Sequence, residues 1–243
     1  MFMRYNVDEN IYNSATVYKK HFAEKTFLYI FDAQSIEVTF EKNNFRHLIG
    51  VADKSINAVS FYNIATKPRF KYASNKKYSR TEQRKIREKT KIIKSLPHFM
   101  KQNGEILCKF HTDSIVFSYA HTEGKNHTVL CFEYDRNRPE TNILIPKSIR
   151  YKDALSYESS EYITKINAIF SKDKTDEKYS KIVFYDGNIS AIPPDLEEKL
   201  STSIKEALGL NKYTLEDRLN HAGIRVKMQR NPNKGTQKQD IEK

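Results

Sequence analysis

The chain has 243 residues, 38% hydrophobic and 12% aromatic, enough for a sizeable core, and its 42 Lys and Arg against 30 Asp and Glu give a formal charge of +12. No run approaches membrane-spanning length, MFMRYNVDEN lacks the apolar stretch and cleavage site of a secretory signal, and Cys108 and Cys131 sit in apolar, strand-like runs as buried thiols rather than a disulfide scaffold. Composition therefore argues against a membrane-spanning, secreted or redox protein and predicts a soluble, cytoplasmic one.

Ile11, Ala15, Tyr18 and Phe22 recur at helical spacing, which predicts a helix over about residues 10 to 24. The apolar run TFLYIF at 26 to 31 and the alternation of Ile36, Val38 and Phe40 with Ser35, Glu37 and Thr39 predict a hairpin turning near Asp32. Asn43 or Asn44 caps a short helix through Phe45, His47 and Leu48, and Gly50 is placed to end it in the left-handed conformation. Residues 57 to 72 read as strand and turn, with Pro68 ending any helix. Ser79-Arg80-Thr81-Glu82 has the spacing of a capping box, opening a helix whose inward face is Ile86, Ile92, Ile93, Leu96 and Phe99 or Met100.

Strands follow at about 105 to 111, 114 to 120, 127 to 134 and 142 to 145, and their short links argue for antiparallel pairing. A helix around 156 to 170 and a strand at 181 to 185, closed by Asp186-Gly187-Asn188, complete the main body. After Ile192-Pro193-Pro194, Leu196, Leu200, Ile204 and Leu208 mark a helix ended by Gly209, and Thr214 with Asp217 caps a shorter one. The predicted organisation is a main domain over residues 1–190, a helical appendage over 191–224 and a disordered basic tail over 225–243.

The charge is concentrated. Between Lys67 and Lys94 twelve basic residues face only Glu82 and Glu88, so this stretch supplies +10 of the +12. Lys67, Arg69, Lys71, Lys76, Lys77, Arg80, Arg84, Lys85 and Lys91 are candidates to bind nucleic acid, with Phe70, Tyr72 and Tyr78 interleaved as surfaces for unpaired bases. A solvated helix face in a Lys-, Asn-, Ile- and Tyr-rich chain is the competing reading.

No Gly-rich phosphate loop, GKS or GKT, HExxH or zinc-knuckle cysteine pair is present, so ATP, NAD and structural zinc are not expected. Cys108, His111, His127 and Cys131 fail as zinc ligands on strand parity: Cys108 and His111, three apart, point to opposite faces. Asp113, Glu133 and Asp135 are scattered single carboxylates, a poor set for two-metal chemistry. Metal-free RNA cleavage stays compatible: a general base takes the 2′-OH proton, cations stabilise the phosphorane and an acid protonates the leaving 5′-oxygen, with no cofactor.

The order of SIEVTF, then Asn-Phe-x-His-Leu-x-Gly at Asn44 to Gly50, a basic helix containing IREKTKII, Lys109-Phe110 and the late Pro146-Lys147-Ser148 resembles the phage-associated barnase, EndoU, colicin and RelE-like nucleases, particularly their fourth group, over about residues 15 to 190. The resemblance implies an α+β fold with N-terminal helices packed on a four- to five-stranded antiparallel sheet, the C-terminal helices being a small appendage outside it. It also implies a metal-independent endoribonuclease of phages and mobile elements, acting as a toxin or anti-phage effector on an RNA substrate and needing an antitoxin or other inhibitor in its host.

On that resemblance His47 is the candidate general base, although a His on a short amphipathic helix also serves as a hydrogen-bonded structural residue. Arg87 is placed to hold the scissile phosphate or to form a solvent-facing ion pair. Lys109 and His111, two apart, share a strand face that is either a cleft floor or plain exposed surface, and Cys108 and Phe110 take the other face. Ser148 offers a phosphate contact or a loop cap, and Tyr119 reads as core. A non-catalytic nucleic-acid-binding module using the same basic helix is the alternative function, and a protein-interaction adaptor built on the C-terminal leucines a third.

Overall fold

A computed structural model describes residues 6–72, 78–112, 115–123, 128–151 and 160–210. Helix α1 (Val7–His21) starts where the Asn6 side chain accepts from the Glu9 N–H at 3.2 Å, with Asp8 and Glu9 in its first turn and Lys19, Lys20 and His21 in its last, the arrangement that suits the helix dipole. Strands β1 (Lys25–Phe31) and β2 (Gln34–Phe40) form the expected hairpin, and Asp32 and Ala33 both take positive φ, 45° and 55°, as a two-residue turn matching strand twist requires. Helices α2 (Asn44–Leu48), α3 (Ala58–Ala65) and α4 (Arg80–Phe99) follow. The capping box of α4 is formed: the Ser79 N–H donates to Glu82 Oε2 at 2.8 Å, and the Glu82 N–H to Ser79 Oγ at 3.2 Å.

The remaining strands are β3 (Glu105–His111), β4 (Val116–Thr122), β5 (Thr128–Tyr134), β6 (Leu144–Tyr151), β7 (Tyr162–Lys165), β8 (Ala168–Asp173) and β9 (Lys181–Tyr185), with α5 (Thr202–Leu208) last. Among the described residues the nine strands join one curled sheet in the order β7-β3-β4-β5-β6-β2-β1-β8-β9. Every pairing is antiparallel except β2 with β6, which is parallel and registered at Val38 and Leu144.

The inner face carries the main core, in which Phe27, Tyr29, Val38, Phe40, Leu130, Phe132 and Ile149 meet Tyr18 of α1, Phe45 of α2, Phe61 of α3 and Ile86, Ile93 and Leu96 of α4. On the outer face Leu28, Ile30, Ala168 and Phe170 are covered by Ile192, Leu196, Leu200, Ile204 and Leu210. A third cluster, Leu107, Phe110, Phe117, Ala120, Val129 and Cys131, lies on the outer face of β3 to β5.

Several expectations are corrected. The sheet is nine-stranded and mixed, not a four- to five-stranded antiparallel one, because the hairpin of β1 and β2 is inserted between β6 and β8 by a long-range parallel pairing. The segment after Ile192 is not an appendage: it closes the outer face of β1 and β8, whose apolar residues need cover on both sides. Its expected helix is broken into a 3-10 turn (Pro194–Lys199) and α5, with Leu200 extended between them and bridging Tyr179. Residues 57 to 72 hold a helix rather than a strand, since Asn57 Oδ1 accepts from the Ser60 N–H at 2.8 Å and Phe61, Tyr62 and Ala65 share a buried face. The described part of the expected helix over 156 to 170 is instead β7 and β8, where Ile169 faces inward and Ala168 and Phe170 outward. Thr214, Asp217 and the basic tail lie outside the described residues.

Candidate active site

Because β2 and β6 run parallel, the chain leaving β2 continues alongside β6, and α2 takes the place of a further strand beside it. Asn44 Oδ1 accepts from the Glu41 N–H at 2.7 Å at the entry to α2; Asn43, the cap position, makes no side-chain cap bond. Glu41 is itself fixed by Lys174 at 2.5 Å and Arg138 at 2.9 Å, and its main-chain oxygen accepts from the Tyr18 hydroxyl at 2.8 Å. Burial opposes ionisation of Glu41, but Lys174 and Arg138 outweigh it and hold the carboxyl below 4.5. At the far end the Gly50 N–H donates to the His47 carbonyl at 2.9 Å and the Val51 N–H to the Arg46 carbonyl at 3.1 Å, a Schellman motif with Gly50 at φ 76°. His47 therefore sits on a single turn pinned at both ends.

Strand β6 presents a β-bulge to this turn. Cys131 pairs with Ser148 and Phe132 with Pro146, so Lys147 is the extra residue. Bulges re-aim side chains, and the Lys147 charge acts on both His47 and Asp135.

The third contributor was not among the sequence candidates. Lys89 falls within the inward stripe of α4 that Ile86, Ile93, Leu96 and Met100 define, and its stem lies against Gly50. Burial lowers its ammonium pKa from 10.5; Cys131 opposes, and Arg150 and Lys85 add to the lowering. Although part of the His47 side chain is open to solvent, the protein around the imidazole, then Lys89, Lys147 and Arg46, lower its pKa from 6.5. The cluster thus combines an imidazole biased towards its neutral form with several cations, which suits taking a proton beside a phosphate and receiving the charge that develops on it.

Other sequence candidates lie elsewhere. Register places Ser148 beside Cys131, on the outer face. Lys109 and His111 are on β3, three strand positions from β6, about 14 Å across the sheet, and are not brought to His47. Lys109 has φ 48° and an exposed ion pair with Glu161 at 2.9 Å; Cys108 packs inward while Phe110 packs outward with Leu107, so β3 changes phase at Lys109 and parity counting fails across it. Tyr119 packs at the margin of the main core. Among the described residues no three His, Cys, Asp or Glu side chains are grouped to hold a metal ion.

Lys67, Arg69, Lys71, Arg80, Arg84, Lys85, Arg87 and Lys91 are all exposed, and Lys76 and Lys77 lie outside the described residues. The interleaved aromatics are not displayed for stacking: Phe70 and Tyr78 are buried, and Tyr72 donates its hydroxyl to Asp53 while its ring meets Phe61 edge-on at 5.1 Å. Arg84, Arg87 and Lys91 line a cleft of about 370 Å³ with Glu88, Thr128 and Tyr151, on the side of α4 away from Lys89.

The family model PBECR4, described as phage-Barnase-EndoU-ColicinE5/D-RelE like nuclease4, matches residues 10–188, which spans α1 through β9 and includes His47, Lys89 and Lys147. No curated protein and no solved structure matches the chain.

Proposed function

We propose, from the premise that the chain belongs to the PBECR4 family of nucleases, that it is a metal-independent endoribonuclease whose reaction centre is the His47, Lys89 and Lys147 cluster. The observation that carries this reading is the meeting of the pinned turn of α2 with a half-buried lysine and a bulged lysine. Neutral His47 removes the 2′-OH proton and the 2′-oxygen forms a bond to the adjacent phosphorus. Lys147 stabilises the phosphorane. The bond to the 5′-oxygen then breaks as that oxygen takes a proton from the Lys89 ammonium, whose lowered pKa suits it as an acid. The products are a 2′,3′-cyclic phosphate and a 5′-hydroxyl. Arg84, Arg87 and Lys91 bind the chain beyond the cut.

Such an activity inside a cell fits a toxin or anti-phage effector, which needs an antitoxin or inhibitor protein to restrain it. A non-catalytic binder built on the same helix makes the opposite prediction for one variant. His47→Ala should abolish cleavage of total bacterial RNA while leaving its affinity within about threefold; a variant that cleaves normally excludes His47 as the base.

A further inference from the structure

We infer that the cleft between α4 and the ends of β5 and β6 is a subsite for one unpaired nucleotide of the RNA substrate, its base stacked on Tyr151 and its phosphates held by Arg84, Arg87 and Lys91. The inference rests on the RNA-cleavage reading above and adds what the substrate must be: single-stranded beside the cut. Tyr151 is 51% exposed, a large ring left at the mouth of a concave site, whereas Phe70 and Tyr78 are only 9% exposed. The wall behind it is made by Ile92 and Thr128, 7% and 8% exposed, so the site has a dry side and a charged side.

Charge complementarity identifies the occupant. Among the described residues Arg84, Arg87 and Lys91 line the cleft with one carboxylate, Glu88, which stands 3.9 Å from Arg84 in an exposed i,i+4 pair too weak to neutralise that guanidinium. An aromatic face beside guanidinium and ammonium groups matches the alternation of base and phosphate in a single strand, where each base offers its π-face and each phosphate a charge. A duplex keeps its bases stacked on one another and offers this ring nothing. Position also fits: Lys147 and Tyr151 lie on the same strand, about 13 Å apart, so a strand cut at His47 continues along β6 into the cleft.

The test uses the full chain and a short 2′-O-methyl oligoribonucleotide, which cannot be cleaved, offered single-stranded or annealed to its complement and followed by fluorescence anisotropy. Tyr151→Ala should weaken single-strand binding about tenfold and change duplex binding less than twofold, and Tyr151→Phe should retain both. Arg84→Gln combined with Lys91→Gln should weaken both and reduce the salt dependence. Equal losses for single strand and duplex in Tyr151→Ala, or no loss in either, overturn the subsite. Wild-type protein that shows the Tyr151-dependent preference but cuts no RNA supports the subsite and removes the nuclease reading; protein that cuts RNA with no dependence on Tyr151 does the reverse.

Discussion

The Lys89 side chain runs directly over Gly50: a Cβ built on Gly50 would stand 3.2 Å from Lys89 Cδ and 3.8 Å from its Nζ. One contact thereby links the end of the His47 turn to the only lysine in the inward stripe of α4. Gly50→Ala both strains a residue at φ 76° and displaces Lys89. The expected result is a stability loss of about 1–2 kcal/mol, measured by denaturant unfolding, together with a fall in cleavage larger than that loss explains when assayed well below the melting temperature.

Lys89→Met keeps the length of the side chain and removes a half-buried charge. Desolvation of the ammonium disfavours the folded state, so the variant should unfold at the same or higher denaturant concentration, a gain on the order of 1 kcal/mol, while kcat falls about 100-fold. Loss of stability with unchanged kcat would make Lys89 a structural residue.

The pH profile follows from the two lowered pKa values. A base works when unprotonated, and His47 titrates below 6.5, so cleavage should rise with pH and reach its plateau at a lower pH than an ordinary histidine gives. Lys89 works as a cation and acid, and its pKa lies below 10.5, so the alkaline limb should begin earlier than for an exposed lysine. Lys89→Met should abolish the alkaline limb and leave the acid limb in place.

His121 predicts acid sensitivity unrelated to the site. Its ring is fully buried against Phe99 at 4.3 Å, neither nitrogen has a hydrogen-bond partner among the described residues, and burial lowers its pKa from 6.5 to about 3. The unfolded chain therefore binds the extra proton first, and the stability held above pH 6.5 is lost progressively as pH falls towards 3, by at most about 1.4 kcal/mol per pH unit. His121→Leu should flatten unfolding curves measured between pH 6.5 and pH 4; an unchanged slope would assign the acid sensitivity to other groups.

Local signals were legible where local chemistry decides the structure. The capping box at Ser79 and Glu82, the hairpin turn at Asp32 and the left-handed Gly50 were read from the residues themselves and formed as expected. The parallel pairing of β2 with β6 was not, because nothing near Val38 encodes contact with Leu144. Two signals were present and unused. The unbroken run TFLYIF already marks a strand buried on both faces, which requires an outer cover such as the segment after Ile192 supplies. A lysine inside the stripe of Ile86, Ile93 and Leu96 similarly marks Lys89 as a group held inward against its solvation, while the candidates chosen were the exposed cations around it. The bulge at Lys147 and the phase change at Lys109 depend on cross-strand register and leave no periodic trace.

The most direct test is to incubate RNA with wild-type protein and with His47→Ala in EDTA and to map the ends of any fragments. The account predicts cleavage by wild type that leaves 2′,3′-cyclic phosphates and 5′-hydroxyls, reduced at least 100-fold in His47→Ala. Intact RNA in EDTA with cleavage restored by a divalent metal, or 5′-phosphate ends, would contradict it.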